Sequence, residues 1–219
     1  NMSEEDLALT IARNNNGEIK KDENGFGIIL NSNKLVIFDV LLNQNIKLKN
    51  KIKILSPVFI EITNIYTKKS NKTIILDNIL NIFNFEKIIK ISLFKNKIEL
   101  EVNKFNNVNF LFSGCDVVFT DNEINDKNIN DCSFNFFSSN IYFKNIDTGN
   151  IYFDIYDNNI YCDILKLRLD ENRSKIQGND INVKKELILY ENSNNKIEDI
   201  EKFLGYNVIK ANYINLYNN

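Results

Sequence analysis

Apolar and amphipathic residues alternate along most of this chain, most regularly between Asn140 and Leu169. One short word recurs there three times: Asn140-Ile141-Tyr142-Phe143-Lys144, Asn150-Ile151-Tyr152-Phe153-Asp154 and Asn159-Ile160-Tyr161-Cys162-Asp163. The starts are ten and then nine residues apart, a spacing that suits strand, turn, strand rather than a helical repeat. Each word has the period of two that gives a strand two unlike faces. Asp157-Asn158, a pair that tolerates positive φ, predicts a two-residue hairpin turn. Folding the chain there pairs Ile155 with Ile160 and Phe153 with Cys162, and a second hairpin across 146–150 sets Phe143 opposite Phe153. The inner face is then Ile141, Phe143, Phe153, Ile155, Ile160 and Cys162, and the outer face carries Tyr142, Lys144, Tyr152, Asp154, Tyr161 and Asp163. Near Ile164 the apolar positions switch from even to odd numbers (Leu165, Leu167, Leu169), which predicts a β-bulge.

The remainder reads in the same way. Ser3–Arg13 is a short helix, capped by Ser3, with Glu4 and Glu5 in its first turn and Leu7 and Ile11 on one face. Hairpin turns are expected at Asp22–Gly25, Lys68–Asn71 and Lys95-Asn96, and a turn at Asn31–Asn33. Pro57 is expected just ahead of a strand at Val58–Ile65, where a missing N–H is tolerated. Asp77–Glu86 breaks the alternation and reads as a helical turn or an irregular crossover. After a turn at Glu171–Ser174 and further strands, Asn195–Leu204 has a helical face of Ile197, Ile200, Phe203 and Leu204, with Gly205 in the C-cap position.

Strands at intervals of about 9–12 residues with short turns predict an all-β protein of antiparallel meanders, a β-sandwich or elongated sheet with short N-terminal and near-C-terminal helices. The alternative is a right-handed β-solenoid, in which nine or ten residues make one side of a coil. The expected organisation is one domain, 1–219, with a division into 1–104 and 105–219 as the variant.

Composition narrows the chemistry. Asparagine makes up roughly one residue in five, the drift of an AT-rich genome, and it is interleaved with regular apolar positions as in a folded chain. Histidine is absent, which removes Ser-His-Asp and Cys-His nucleophile systems and His-ligated metals. Arginine occurs only at positions 13, 168 and 173, which argues against nucleic acid. The net charge of −2 divides into +4 over residues 1–110 and −6 over 111–219. Cys115, Cys132 and Cys162 lack CxxC spacing and read as free, buried thiols, which favours a reducing, cytoplasmic compartment. No membrane span and no secretory segment are expected, and Asn1 ahead of Met2 reads as a tag remnant.

Four features bear on chemistry. Asp147-Thr148-Gly149 matches the tripeptide of aspartic proteases, and Phe203-Leu204-Gly205 would be their apolar-apolar-Gly, yet Asp-Thr-Gly is also hairpin-turn chemistry. Asp121, Glu123, Asn125 and Asp126 alternate as in a calcium loop without its glycine or final glutamate, so they read as a solvated acidic loop. Asn71 and Asn172 open chance glycosylation sequons. The candidate binding surface is a tyrosine row, Tyr142, Tyr152, Tyr156 and Tyr161. No catalytic residue, metal or cofactor is assigned. The expected function is that of a non-enzymatic structural or binding protein: a subunit of a virion, appendage or surface layer, contacting a protein partner or its own copies. A ligand- or lipid-binding β-fold with an apolar cavity is the alternative, and an aspartic-type hydrolase using Asp147 is the third reading.

Overall fold

The computed structural model describes residues 3–37, 48–63, 73–125, 127, 131–149, 151–169, 175–191 and 196–218. The chain forms two compact units, Asn1–Lys97 and Ile98–Asn219. The turns expected at Lys68–Asn71 and Glu171–Ser174, together with Asn71, Asp126, Asn150 and Asn172, lie outside the described residues.

In the first unit, α1 (Glu4–Asn14) starts where Ser3 Oγ accepts from the Asp6 N–H, as its capping sequence predicts. Its buried face, Leu7, Ala8, Ile11 and Ala12, packs on an antiparallel hairpin of β1 (Gly17–Asp22) and β2 (Gly25–Leu30). Gly25 stands at φ +112, the turn conformation that the Asp22–Gly25 sequence predicts. Pairing is parallel from there: β2 and β3 (Lys34–Ile37) both lie along β4 (Ile52–Thr63). After β5 (Ile74–Ile75) and a short helix α2 (Leu76–Leu80), β6 (Phe83–Phe94) runs parallel to β4. Pro57 is inside β4 rather than ahead of a strand. It sits where the register with β6 shifts, between the segment paired to β2 and the segment paired to β3.

The second unit opens with β7 (Lys97–Leu100, its first residue closing the first unit) and a 3₁₀ turn (Val102–Lys104), and the rest of it is a stack of coils. The first coil contains β8 (Asn109–Ser113), β9 (Asp116–Phe119) and β10 (Glu123–Ile124). The second contains β11 (Ser133–Phe137), β12 (Asn140–Tyr142) and β13 (Asn145–Asp147). The third is β14 (Tyr152–Tyr156) and β15 (Asn159–Arg168), and the fourth β16 (Ile176–Gln177) and β17 (Asp180–Glu191). In the last, α3 (Lys196–Tyr206) takes the first side, followed by β18 (Val208–Ala211) and β19 (Ile214–Asn218). One sheet stacks β8, β11, β14 and β16, all parallel. The other stacks β9, β12, β15, β17 and β18, with β10, β13 and β19 added alongside, again all parallel.

The antiparallel meander is therefore overturned, and a parallel, solenoid-like arrangement takes its place. Phe153 does not face Cys162, nor Phe143 Phe153. Phe153 lies beside Phe134, and Cys162 beside Val183. The physical reason is at Asp157-Asn158. A type I′ hairpin, the two-residue turn that an Asp-Asn pair suits, needs positive φ at both residues, whereas only Asp157 has it (φ +57), and Asn158 turns inward to a buried site. The result is a corner that carries the chain from one sheet to the other. Gly114 (φ +64), Ser138 (φ +50) and Gly178 (φ +69) make the equivalent corners. Lys95 (φ +54) before buried Asn96 makes one in the first unit, in place of the expected hairpin.

Behind Ser138, Asp157 and Gly178 a buried polar side chain joins a ladder, which begins at the Cys115 backbone and is extended by Asn207 after α3. Ser139 Oγ accepts from the Cys115 N–H, and Asn158 Oδ1 accepts from the Ser139 N–H. Asn179 Oδ1 accepts from the Asn158 N–H, and Asn207 Oδ1 from the Asn179 N–H. The amide groups also donate to core-side carbonyls, Asn158 to Phe136, Asn179 to Ile155 and Asn207 to Ile176. Every coil thus satisfies its corner backbone through the next. Between the sheets, in-register pairing places like on like: Phe110, Phe134 and Phe153 stack with centroids 5.6 and 5.2 Å apart. The expected inward positions are buried except Phe143, which is half-buried, because the alternation sets the burial phase whatever the pairing direction.

Candidate functional site

The expected β-bulge is present: the register of β15 with β17 shifts between Cys162 and Ile164. At this level the outer strand of a coil is interrupted or shifted in register, and a groove of about 720 Å³ lies here. It runs along the stacking direction and takes residues from all five coils of the second unit. One row, from β9, β12, β15, β17 and β18, is Val118, Tyr142, Tyr161, Asn182 and Lys210. Two residues further on, a second row carries Lys144, Asp163, Lys184 and Asn212. The residues between the rows include Phe143, Cys162, Val183 and Ala211, which give the groove an apolar floor. Strand spacing makes five coils roughly 19 Å long from first to last.

Tyr142 and Tyr161 meet here, their rings stacked at 4.8 Å and 11°. Tyr152 and Tyr156 do not join them. Both are exposed on the β14 sheet, where the Lys175 ammonium lies 4.2 Å from the Tyr152 ring centroid and Tyr156 stacks on Phe137. The third word sits above the first because nine and ten residues together close one coil. The middle word belongs to the other side.

Charge in the groove comes from Lys144, Lys184, Lys210 and Asp163. Asp163 pairs at 3.8 Å with Lys185, which is not one of the lining residues. Among the described residues, none of the three lining ammonium groups is paired with a carboxylate. Cys162 at the floor is buried, and burial, reinforced by the neighbouring Asp163 charge, pushes its thiol up to about 12. It stays protonated and unreactive at neutral pH. Cys115, Cys132 and Cys162 are all buried and form no disulfide.

The remaining candidate groups have local partners. Asp147 Oδ1 accepts from the Gly149 N–H at 3.2 Å, and Gly149 stands at φ +44, so the tripeptide forms its own turn. Thr148 is buried and its Oγ1 accepts from the Arg168 N–H. Phe203-Leu204-Gly205 is inside α3. Asp121 is buried, its two oxygens accepting from the Val102 and Asn103 N–H groups, while Glu123 belongs to β10 and Asn125 Oδ1 accepts from the Lys127 N–H. Between the sheets of the second unit, a void of about 20 Å³ is lined by Phe136, Ile146, Phe153, Leu165, Ile176 and neighbouring side chains. No helix among the described residues is long and apolar enough to cross a membrane.

No protein-family model, curated protein or solved structure matches the chain. Sequence reasoning had placed Tyr142, Tyr161, Lys144 and Asp163 on one face but missed Asn182, Lys184 and Lys210. Their signal is a degenerate copy of the repeated word. Asn179-Asp180-Ile181-Asn182-Val183-Lys184 and Asn207-Val208-Ile209-Lys210-Ala211-Asn212 match Ser139-Asn140-Ile141-Tyr142-Phe143-Lys144 position for position.

Proposed function

We propose that this protein is a non-enzymatic binding protein that holds an elongated ligand in the groove of its second unit. The observation that carries this reading is the groove itself: about 720 Å³ of space, built from five successive coils, with an aromatic pair and lysines that pair with no carboxylate among the described residues over an apolar floor. The interior void of about 20 Å³ is no larger than about one water, so an acyl chain has no room between the sheets and the ligand-binding reading belongs outside them. The engagement of Asp147 within its own turn supports a role in shape rather than proton transfer. Three buried thiols outside any disulfide suit a reducing compartment, and their burial shields them in any other, so location does not limit the ligand class.

The test is a thermal-shift panel of soluble oligosaccharides, nucleotides, peptides and fatty acids, run on the protein and on Tyr161→Ala. The expected result is a stabilising class whose effect is lost in the variant, because a ligand bound to the folded state raises the midpoint in proportion to its occupancy. A panel in which no class depends on Tyr161 overturns the reading.

A second reading, a subunit of an assembly, is supported by the last coil. Ile214 and Leu216 are 45% and 52% exposed, whereas Leu187 and Leu189, their partners one coil earlier, are 0% exposed.

A further inference from the structure

We infer that the ligand is a linear glycan whose sugars alternate between acidic and uncharged, an inference that rests on the groove being a binding site. The argument begins with spacing. Groove residues recur once per coil, at about 4.8 Å, because they come from parallel strands in register. An extended peptide repeats every 3.3–3.4 Å or so, and a stacked nucleic-acid strand advances about 3.4 Å along its axis per nucleotide, so neither rise keeps step with this lattice. A pyranose unit in an extended glycan advances by close to one coil. The stacked Tyr142 and Tyr161 add hydroxyl-bearing aromatic surface at that same interval, the amphipathic kind of wall that sugar faces and hydroxyls pack against.

Charge sets the class of glycan. The second row reads Lys144, Asp163, Lys184 on three consecutive coils: positive, negative, positive, with the middle carboxylate also 3.8 Å from the exposed Lys185 ammonium. The two lysines are two coils apart, roughly 10 Å. A carboxylate on every second sugar meets both of them, while the intervening sugar offers hydroxyl or amide donors to Asp163. A homopolymer charged on every unit would set one carboxylate against Asp163. Lysine suits this task, since an ammonium attracts a carboxylate as a point charge without demanding a fixed fork geometry. Lys210, in the other row and one coil beyond Lys184, extends the positive end. The groove thus carries three lysines and one aspartate within residues 111–219, whose balance is −6. That charge is local rather than a reflection of the whole half.

The experiment is calorimetric titration of the full chain with four probes: an octasaccharide alternating glucuronate and N-acetylglucosamine, an all-galacturonate octamer, neutral chito-octaose, and an acidic octapeptide. The alternating octasaccharide should bind tightest. Its affinity should fall roughly tenfold in the Lys144→Ala/Lys184→Ala double variant, as for two solvent-exposed charge contacts. It should weaken again as salt rises from about 0.02 to about 0.3 M. Asp163→Asn should narrow the preference over the all-galacturonate octamer. These positions are exposed or half-buried on the surface, and unchanged thermal midpoints will confirm that the variants fold. Equal or tighter binding of the all-galacturonate, neutral or peptide probe overturns the alternating-glycan inference while leaving the groove as a binding site if Tyr161→Ala still abolishes it. Binding that ignores Tyr161, or no binding by any probe, removes the inference, and only a thermal-shift panel without a Tyr161-dependent class removes the groove reading as well.

Discussion

Asn179 shows what the asparagine bias accomplishes at single positions. Its Oδ1 accepts from the Asn158 N–H at 3.0 Å, and its Nδ2 donates to the Ile155 carbonyl at 3.1 Å, in a corner where the residue is 1% exposed. Removing the amide leaves a buried donor and a buried acceptor without partners, and water cannot reach them. Asn179→Ala should therefore cost about 3 kcal/mol. Asn140→Ala, which loses an outward ladder to Asp116 and Asn159, should cost about 0.5 kcal/mol. Urea unfolding of both variants checks this, and equal losses would contradict the corner argument. Cys162 gives a second prediction at the same scale. Below the ordinary thiol value, folded and unfolded chains both hold the proton. Above it the unfolded chain releases the proton while the folded chain keeps it until about pH 12, so stability falls as pH rises through this window. The loss is on the order of 4 kcal/mol if the window is crossed fully. Urea midpoints from about pH 8 to about pH 11 should fall more steeply for the native chain than for Cys162→Val. Parallel slopes would show that the thiol is not what titrates.

At the scale of elements, positions along the chain were legible and partners were not. The start of α1, the hairpin at Gly25, the bulge near Ile164 and the buried phase of β14 and β15 all follow from local rules, since capping, turn chemistry and alternation act within a few residues. Pairing direction is not local. Period two serves a hairpin and a coil equally well, and Asp157-Asn158 suits either turn until the burial of Asn158 is known. What distinguishes a coil is the recurrence of a buried asparagine behind a left-handed residue, and of the same residue type above itself, as at Tyr142 and Tyr161. The end of α3 was misplaced for a related reason. Gly205 read as a cap, yet the helix continues to Tyr206 because Asn207 Nδ2 donates to the Phe203 carbonyl and the Gly178 N–H to the Tyr206 carbonyl. With its last carbonyls satisfied by the ladder, the helix needs no left-handed glycine. The same dependence on stacking explains the site. Two tyrosines were visible as a pair of words, but Lys184 and Lys210 join them only once coils are laid in register.

At the scale of the whole molecule, the last described coil of the second unit has, among the described residues, no coil stacked beyond it. β19 pairs with β17 on one edge, and among the described residues no strand pairs with the other. Ile214 and Leu216 occupy the inward register of Leu187 and Leu189 yet remain about half exposed. Tyr213, Tyr217 and Val208 extend this apolar end. An edge with free N–H and C=O groups and apolar side chains is a template for another strand. A second copy presenting the same edge can satisfy it in a closed, two-fold pairing of β19 with β19. Such a pairing would not touch the groove lining residues from the first three coils, so ligand binding and assembly can coexist. We expect sedimentation equilibrium to show a concentration-dependent dimer. Leu216→Lys should abolish it by placing a charge in the shared edge, as natural edge strands do to stay apart. Glycan binding should survive in that variant, because Leu216 is not part of the groove. A chain that stays monomeric at all concentrations, or a dimer indifferent to Leu216→Lys, would show that the last described coil is not where copies meet.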